Sequence, residues 1–173
     1  AQDGLEDAYE KKAMGVYADM IAQEYQFTRE DQDAYALETL ARAIKATEDG
    51  SFKREITPVT ISTRKGDVTV ETDELPRNAR PEKIPSLRPA FGKDGTVTAA
   101  NASAISDGAA ALVMMRQSEA ERRGLTPIAK ITATAAHAHE PAYFTTAPVP
   151  AMRKVLEKAG WQTGDVGLWE INE

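Results

Sequence analysis

TVTAANASAISDGAAALVMM, residues 96–115, is crowded with alanine and offers Asn101, Ser103, Ser106 and Asp107 as its main polar groups. Alanine and glycine let a backbone or a ligand come close, because little or no side chain holds a neighbour away. Two readings follow: a tightly packed strand and turn in a core, or the floor of a slot that receives something long and thin. What comes next points to a fold class. GAAALVMM (108–115) is short, apolar and strand-like, and SEAERRG is a brief amphipathic helix closed by Gly124. PIAKITATAAH (127–137) alternates, with Ile131, Ala133 and Ala135 on one side. PVPAMRKVLEKAG sets Met152, Val155, Leu156 and Ala159 on one helical stripe with Gly160 as C-cap, and VGLWEIN (166–172) reads as a strand. The order β-α-β-α-β is that of an α/β layer architecture.

Working outward toward the start, AMGVYADMIAQEY places Met14, Ala18, Ile21 and Tyr25 at helical spacing. A second helix opens after Thr28, a good N-cap, with Glu30 and Asp31 in its first turn; it runs through Ala34, Leu37, Ala41 and Ile44 and stops near Gly50. PVTIS and VTVET alternate around Arg64-Lys65-Gly66-Asp67, a hairpin signal. Residues 73–89, DELPRNARPEKIPSLRP, have no periodicity and read as a long loop. Its Arg77, Arg80 and Arg88 form the densest cluster of positive charge, either a solvated surface or an anion site. The chain thus divides into an irregular α+β part, 1–103, and the beginning of a sheet-and-helix domain, 104–173.

Composition narrows the function. At 173 residues, 42% hydrophobic and 28% charged, the chain resembles soluble globular domains and can bury a core. No apolar run is long enough to span a bilayer and no signal pattern opens the chain, so we expect a soluble cytoplasmic protein with no membrane partner. A net charge of −6 argues against nucleic acid, which needs a basic face. With no cysteine, this chain holds no disulfide, thiolate nucleophile or zinc–thiolate site. His137 and His139 could share a face of an extended segment and grip a metal, but only Glu140 offers itself as a third ligand; they read better as a polar strand end.

The last expected strand delivers Glu170, Asn172 and Glu173 to its carboxyl end, where α/β proteins collect reactive groups, and the sequence stops there. It also starts at a residue other than methionine. We therefore expect an internal fragment of a longer protein.

Several motifs occur in order along nearly the whole chain: MG-x-x-A at 14–18, TREDQDAYAL from Thr28, RPAF at 88–91, DGTVTAANAS-x-I-x-DGAAAL at 94–112, APVPA at 147–151 and WEINE at the end. Together they resemble the thiolases, close to the acetyl-CoA acetyltransferase (acetoacetyl-CoA thiolase) branch. The DGTVTAANAS run is the specific part; MG-x-x-A or APVPA alone would be weak. The resemblance implies an α/β, thiolase-like fold, with 1–103 as the α+β loop domain that binds coenzyme A and 104–173 as the first part of the C-terminal βαβαβ domain.

It also implies site residues. Ser103 matches the serine that hydrogen-bonds the pantetheine amide, and Leu5, Met14, Phe91 and Ala99 match positions on the wall of the coenzyme A tunnel. Arg77 matches an arginine near the nucleotide end, where a guanidinium suits phosphate and stacks on adenine. Asn172 matches the asparagine that holds a water in an oxyanion hole for the thioester enolate. Phe144, with Thr145 and Thr146, stands where other members carry a methionine-glycine pair lining the acyl pocket, and Ala13 stands where many carry a histidine. The family chemistry is a two-step exchange: a cysteine thiolate takes an acyl group from one thioester, and the α-carbanion of a second attacks it. Coenzyme A and acetyl-CoA are then substrates, with no prosthetic group and no metal, and the whole protein is a homodimer or homotetramer. The reactive cysteines and the histidine lie outside these residues, so the chain alone is expected to be inactive. A non-catalytic acyl-CoA or lipid carrier on the same scaffold, or a segment serving mainly subunit association, are the competing readings; a reactive cysteine encoded upstream would favour the enzyme.

Overall fold

The structure is a computed structural model that describes residues 4–172. Helix α1 spans Met14–Glu24 and α2 spans Arg29–Glu48. Thr28 caps α2 as its sequence predicts: Oγ1 accepts the Asp31 amide at 3.1 Å, and Glu30 and Asp31 face the positive end of the helix dipole. Gly50, at φ +78°, takes the left-handed turn that ends the helix. Strands β1 (Val59–Thr63) and β2 (Gly66–Val70) pair antiparallel as a hairpin. The register sets Val59 opposite Val70 and Ile61 opposite Val68, so the apolar residues share one face and Thr60 and Thr69 meet on the other.

Two compact units result: residues 13–103, and residues 104–172 together with 4–12. The first is built on α1 and α2. Tyr17, Ile21 and Ala22 are buried on α1, Ala36 and Leu40 on α2, and Ile84 and Val97 on the segments that pack with them. The buried stripe of α2 is Asp33, Ala36 and Leu40, rotated from the expected Ala34–Leu37–Ala41–Ile44 line; Ala34 and Ala41 are exposed. Small alanines on either side of a helix leave its orientation to the larger contacts, and a paired aspartate proves acceptable on the inner face.

Residues 73–89 also depart from the expected structureless loop. Asp73 accepts the Leu75 amide at 3.1 Å and starts a short helix α3, Glu74–Asn78, and a 3-10 turn follows at Pro81–Ser86. Both pack on α2. A single capping carboxylate at the start of α3 and a proline at the first position of the 3-10 turn shape this segment without any periodicity.

In the second unit, α4 (Gln117–Arg122) buries Ala120 and ends before Gly124, and α5 (Pro148–Ala159) ends at Gly160, both glycines left-handed as expected. The expected strands at 108–115, 127–137 and 166–172 form no ladder among the described residues. A strand is defined by the hydrogen bonds of its neighbour, and these three runs do not pair with one another. The α/β layering is nonetheless visible in side chains. Ala133, Ala135 and His137 are half-buried while Thr132, Thr134 and Ala136 are exposed, the alternation of a strand face. α5 lies along this run: Ile131 and Ala133 share an apolar groove with Val155, Leu156, Ala159, Trp161 and Trp169, and Lys158 Nζ donates to the Thr134 carbonyl at 2.9 Å.

Candidate functional site

The alanine-rich strap 96–103 is held from behind by side chains of α1, α2 and its own Asn101. Asp19 Oδ1, on α1, accepts the amides of Thr96 at 2.8 Å and Val97 at 2.9 Å. Asp19 Oδ2 is buried with no hydrogen-bond partner among the described residues and occupies the space that a Cβ on Gly95 would need. Asn101 Oδ1 accepts the Thr98 amide at 2.7 Å, while its Nδ2 donates to the Thr96 carbonyl at 3.1 Å and to Asp33 Oδ1 at 3.2 Å. Gln32 of α2 donates to Thr96 Oγ1 at 2.9 Å. Thr98 is fully enclosed. The backbone amides of this irregular segment thus find side-chain acceptors where a strand would have used a ladder.

In front of this anchoring the strap is open. Ala99 and Ser103 are both exposed. Phe91 is tied close to the strap by the Ala90 amide, which donates to the Val97 carbonyl at 2.8 Å, and a turn at 92–95 closes with Gly95 donating to Gly92. Its ring sits directly over Gly15 in the first turn of α1: a Cβ there would lie inside the ring, so only glycine permits this approach. Met14, the residue before it, is half-buried. Arg77 is exposed on α3 and makes no ion pair among the described residues. Met14, Arg77, Phe91, Ala99 and Ser103 therefore belong to one unit. Leu5, Phe144 and Asn172 belong to the other, where all three are exposed.

Phe144 lies in a 3-10 turn, Pro141–Thr146, organised by His139. A carbonyl only accepts, so His139 Nε2 donates to Tyr143 O at 2.7 Å, and Thr146 Oγ1 donates to the same oxygen at 2.9 Å. His137 meets His139 edge to face and takes a hydrogen bond from Lys154 Nζ at 3.0 Å on Nδ1. Desolvation, then the Lys154 charge, then His139 hold the His137 pKa below its ordinary value. The histidine pair is engaged with the protein, and no group of three metal-binding side chains occurs among the described residues.

Sequence reasoning missed Asp19, Arg29 and Asp33 entirely and noted Asn101 only as a polar group. A signal was present: Asp33 falls three and seven residues before Ala36 and Leu40, and an acid on an inward stripe demands a cation, which Arg29 supplies four residues earlier.

Comparison with known proteins decides the family. A family model described as "Thiolase, N-terminal domain" matches residues 1–118, and one described as "Thiolase, C-terminal domain" matches 125–173. The chain belongs to the thiolase family. It is 48% identical over 173 residues to the acetyl-CoA acetyltransferase of Rhizobium meliloti (strain 1021), and 45% identical over 174 residues to the cytosolic acetyl-CoA acetyltransferase of Mus musculus; each match covers 99% of this chain and 44% of the relative. Among solved structures, a thiolase from Ascaris suum in complex with coenzyme A aligns with a TM-score of 0.90 at 43% identity, over 100% of this chain and 44% of that one. The Bacillus anthracis acetyl-CoA acetyltransferase aligns with a TM-score of 0.89 at 42% identity, over 95% and 42%. The fold is therefore a thiolase-like α/β fold, and the chain spans less than half the length of the thiolases it matches. No helix among the described residues is long and apolar enough to cross a membrane.

Proposed function

We propose that this thiolase chain forms the coenzyme A side of an acetyl-CoA C-acyltransferase, with residues 1–103 as the loop domain and 104–173 as the first part of the C-terminal domain. The whole protein transfers an acyl group between thioesters, by condensation or by thiolytic cleavage of a 3-ketoacyl-CoA, and acts in the cytoplasm as a homodimer or homotetramer. The observation that carries the reading is the strap: small residues and an exposed serine on its open side, with its backbone amides bound from behind by Asp19 and Asn101. In this reading Ala99, Phe91 and Met14 wall a narrow slot, Ser103 bonds the pantetheine amide, and Arg77 meets the phosphates; Leu5 contacts coenzyme A from its own unit. Asn172 fixes a water that stabilises the enolate oxygen as the α-proton leaves, and Phe144 lines the acyl pocket. The structure of the Ascaris suum thiolase with coenzyme A supports the choice of ligand. The nucleophilic thiolate must come from outside these residues, since the chain has no cysteine, so the chain alone catalyses nothing.

The test is steady-state kinetics on the whole protein. Ser103→Ala removes one neutral hydrogen bond and raises KM for coenzyme A by about 2- to 10-fold. Arg77→Ala removes a charge-assisted contact at an exposed site and raises it by about 10-fold. Asn172→Ala lowers kcat by about 100-fold or more, because a fixed donor acts mainly in the transition state. Unchanged constants in all three variants would remove the assignment.

A further inference from the structure

The carboxylate of Asp33 is 5% exposed on the inner face of α2, and it divides its two oxygens between two separate parts of the chain. Oδ2 accepts Arg29 Nε at 2.7 Å, and Arg29 Nη2 in turn donates to the carbonyls of Ile84 at 3.0 Å and Leu87 at 3.1 Å. Oδ1 accepts Asn101 Nδ2, and Asn101 holds Thr96 and Thr98. One side chain therefore fastens both ends of the segment 84–101. Phe91 and Ala99 lie between those ends, and Ser103 follows two residues after.

An apolar residue among Ala36, Leu40 and Ile84 would serve stability as well or better, because a buried ion pair rarely outperforms packing. What the pair supplies is direction: each hydrogen bond sets a backbone position to within a few tenths of an ångström, which dispersion contacts among small residues do not. We infer that Asp33 is the positioning residue of the coenzyme A slot, acting through Arg29 and Asn101 on the wall that carries Phe91, Ala99 and Ser103. This rests on the functional reading above and adds to it a residue that touches no substrate.

The test is a double-mutant cycle in the whole protein, read as the calorimetric Kd for coenzyme A beside kcat at saturating substrate. Asp33→Asn offers one acceptor where Arg29 and Asn101 need two, so one contact becomes donor against donor. We expect Kd to rise by about 5- to 30-fold with kcat within about twofold, the loss of one or two hydrogen bonds' worth of slot geometry. Asn101→Ala frees the strap end alone, leaves Arg29–Asp33 intact, and is expected to raise Kd by a similar factor. Combined, the two are expected to do no more than the larger single change, the signature of action along one chain of contacts. Should Asp33→Asn fail to fold, Asn101→Ala decides. A wild-type protein that binds coenzyme A while the folded variants bind within twofold of it overturns the positioning role alone; a wild-type protein that binds none overturns the slot itself.

Discussion

Asp19 illustrates how much a single side chain settles in this chain. Its Oδ1 takes two consecutive amides of a segment that has no ladder partner, and its position leaves room at Gly95 for hydrogen alone. Asp19→Ala strands both amides in a partly buried setting, and a loss of about 2–4 kcal/mol in unfolding free energy is expected from denaturant titration of the whole protein. Asp19→Asn keeps the accepting oxygen and is expected to cost distinctly less. Equal losses for the two variants would mean that the carboxylate charge, rather than its place as acceptor, holds the strap. The Phe91–Gly15 contact belongs to the same scale: a ring fills the space a side chain would take, so the two residues define each other.

Among the elements, α5 carries the strongest expectation from sequence and the clearest titration. Lys154 and Lys158 bend from this helix onto the run 134–137, where they meet the Ala136 and Thr134 carbonyls and the His137 ring. An ammonium only donates, so its bond to Nδ1 selects the neutral ring with the proton on Nε2. The folded pKa of His137 lies below its unfolded value, desolvation first and Lys154 next. At intermediate pH the unfolded state therefore binds more protons. The contribution of this group is fully present above the unfolded pKa, about 6.5, and is lost as pH falls through the lower folded value. Lys154→Met removes one of the causes and is expected to move the His137 titration upward in an NMR pH series. An unmoved curve would show that the ammonium does not sit against the ring in solution.

For the whole molecule, the decisive fact is which backbone groups find partners. Val113 is 90% and Ile128 100% exposed, on runs whose sequence is that of buried strands. Amide hydrogen exchange is expected to be at loop rates for 108–115 and 127–137 in this chain by itself, and slowed by about 100-fold or more in the whole protein, where a ladder would raise the local opening energy by several kcal/mol. Fast exchange in both would place these runs outside any sheet. Helices α1, α2, α4 and α5, the Thr28 cap, the stops at Gly50, Gly124 and Gly160, and the existence of the hairpin were legible in the sequence, because each depends on residues within a turn or two of one another; the hairpin register was not, since Gly66 and Asp67, read as turn, open β2. The helix α3 was not, since one capping aspartate leaves no periodic trace. The candidate slot was legible only as a likeness of motifs; the carboxylates that hold it were not, because Asp33 and Asp19 meet partners 68 and 77 residues away. Local spacing by itself determined the helices, the turns and the alternating faces of this protein. Tertiary structure alone decided which face of α2 turns inward and which extended runs become strands, because burial and ladder hydrogen bonds depend on neighbours that chain-local chemistry does not name.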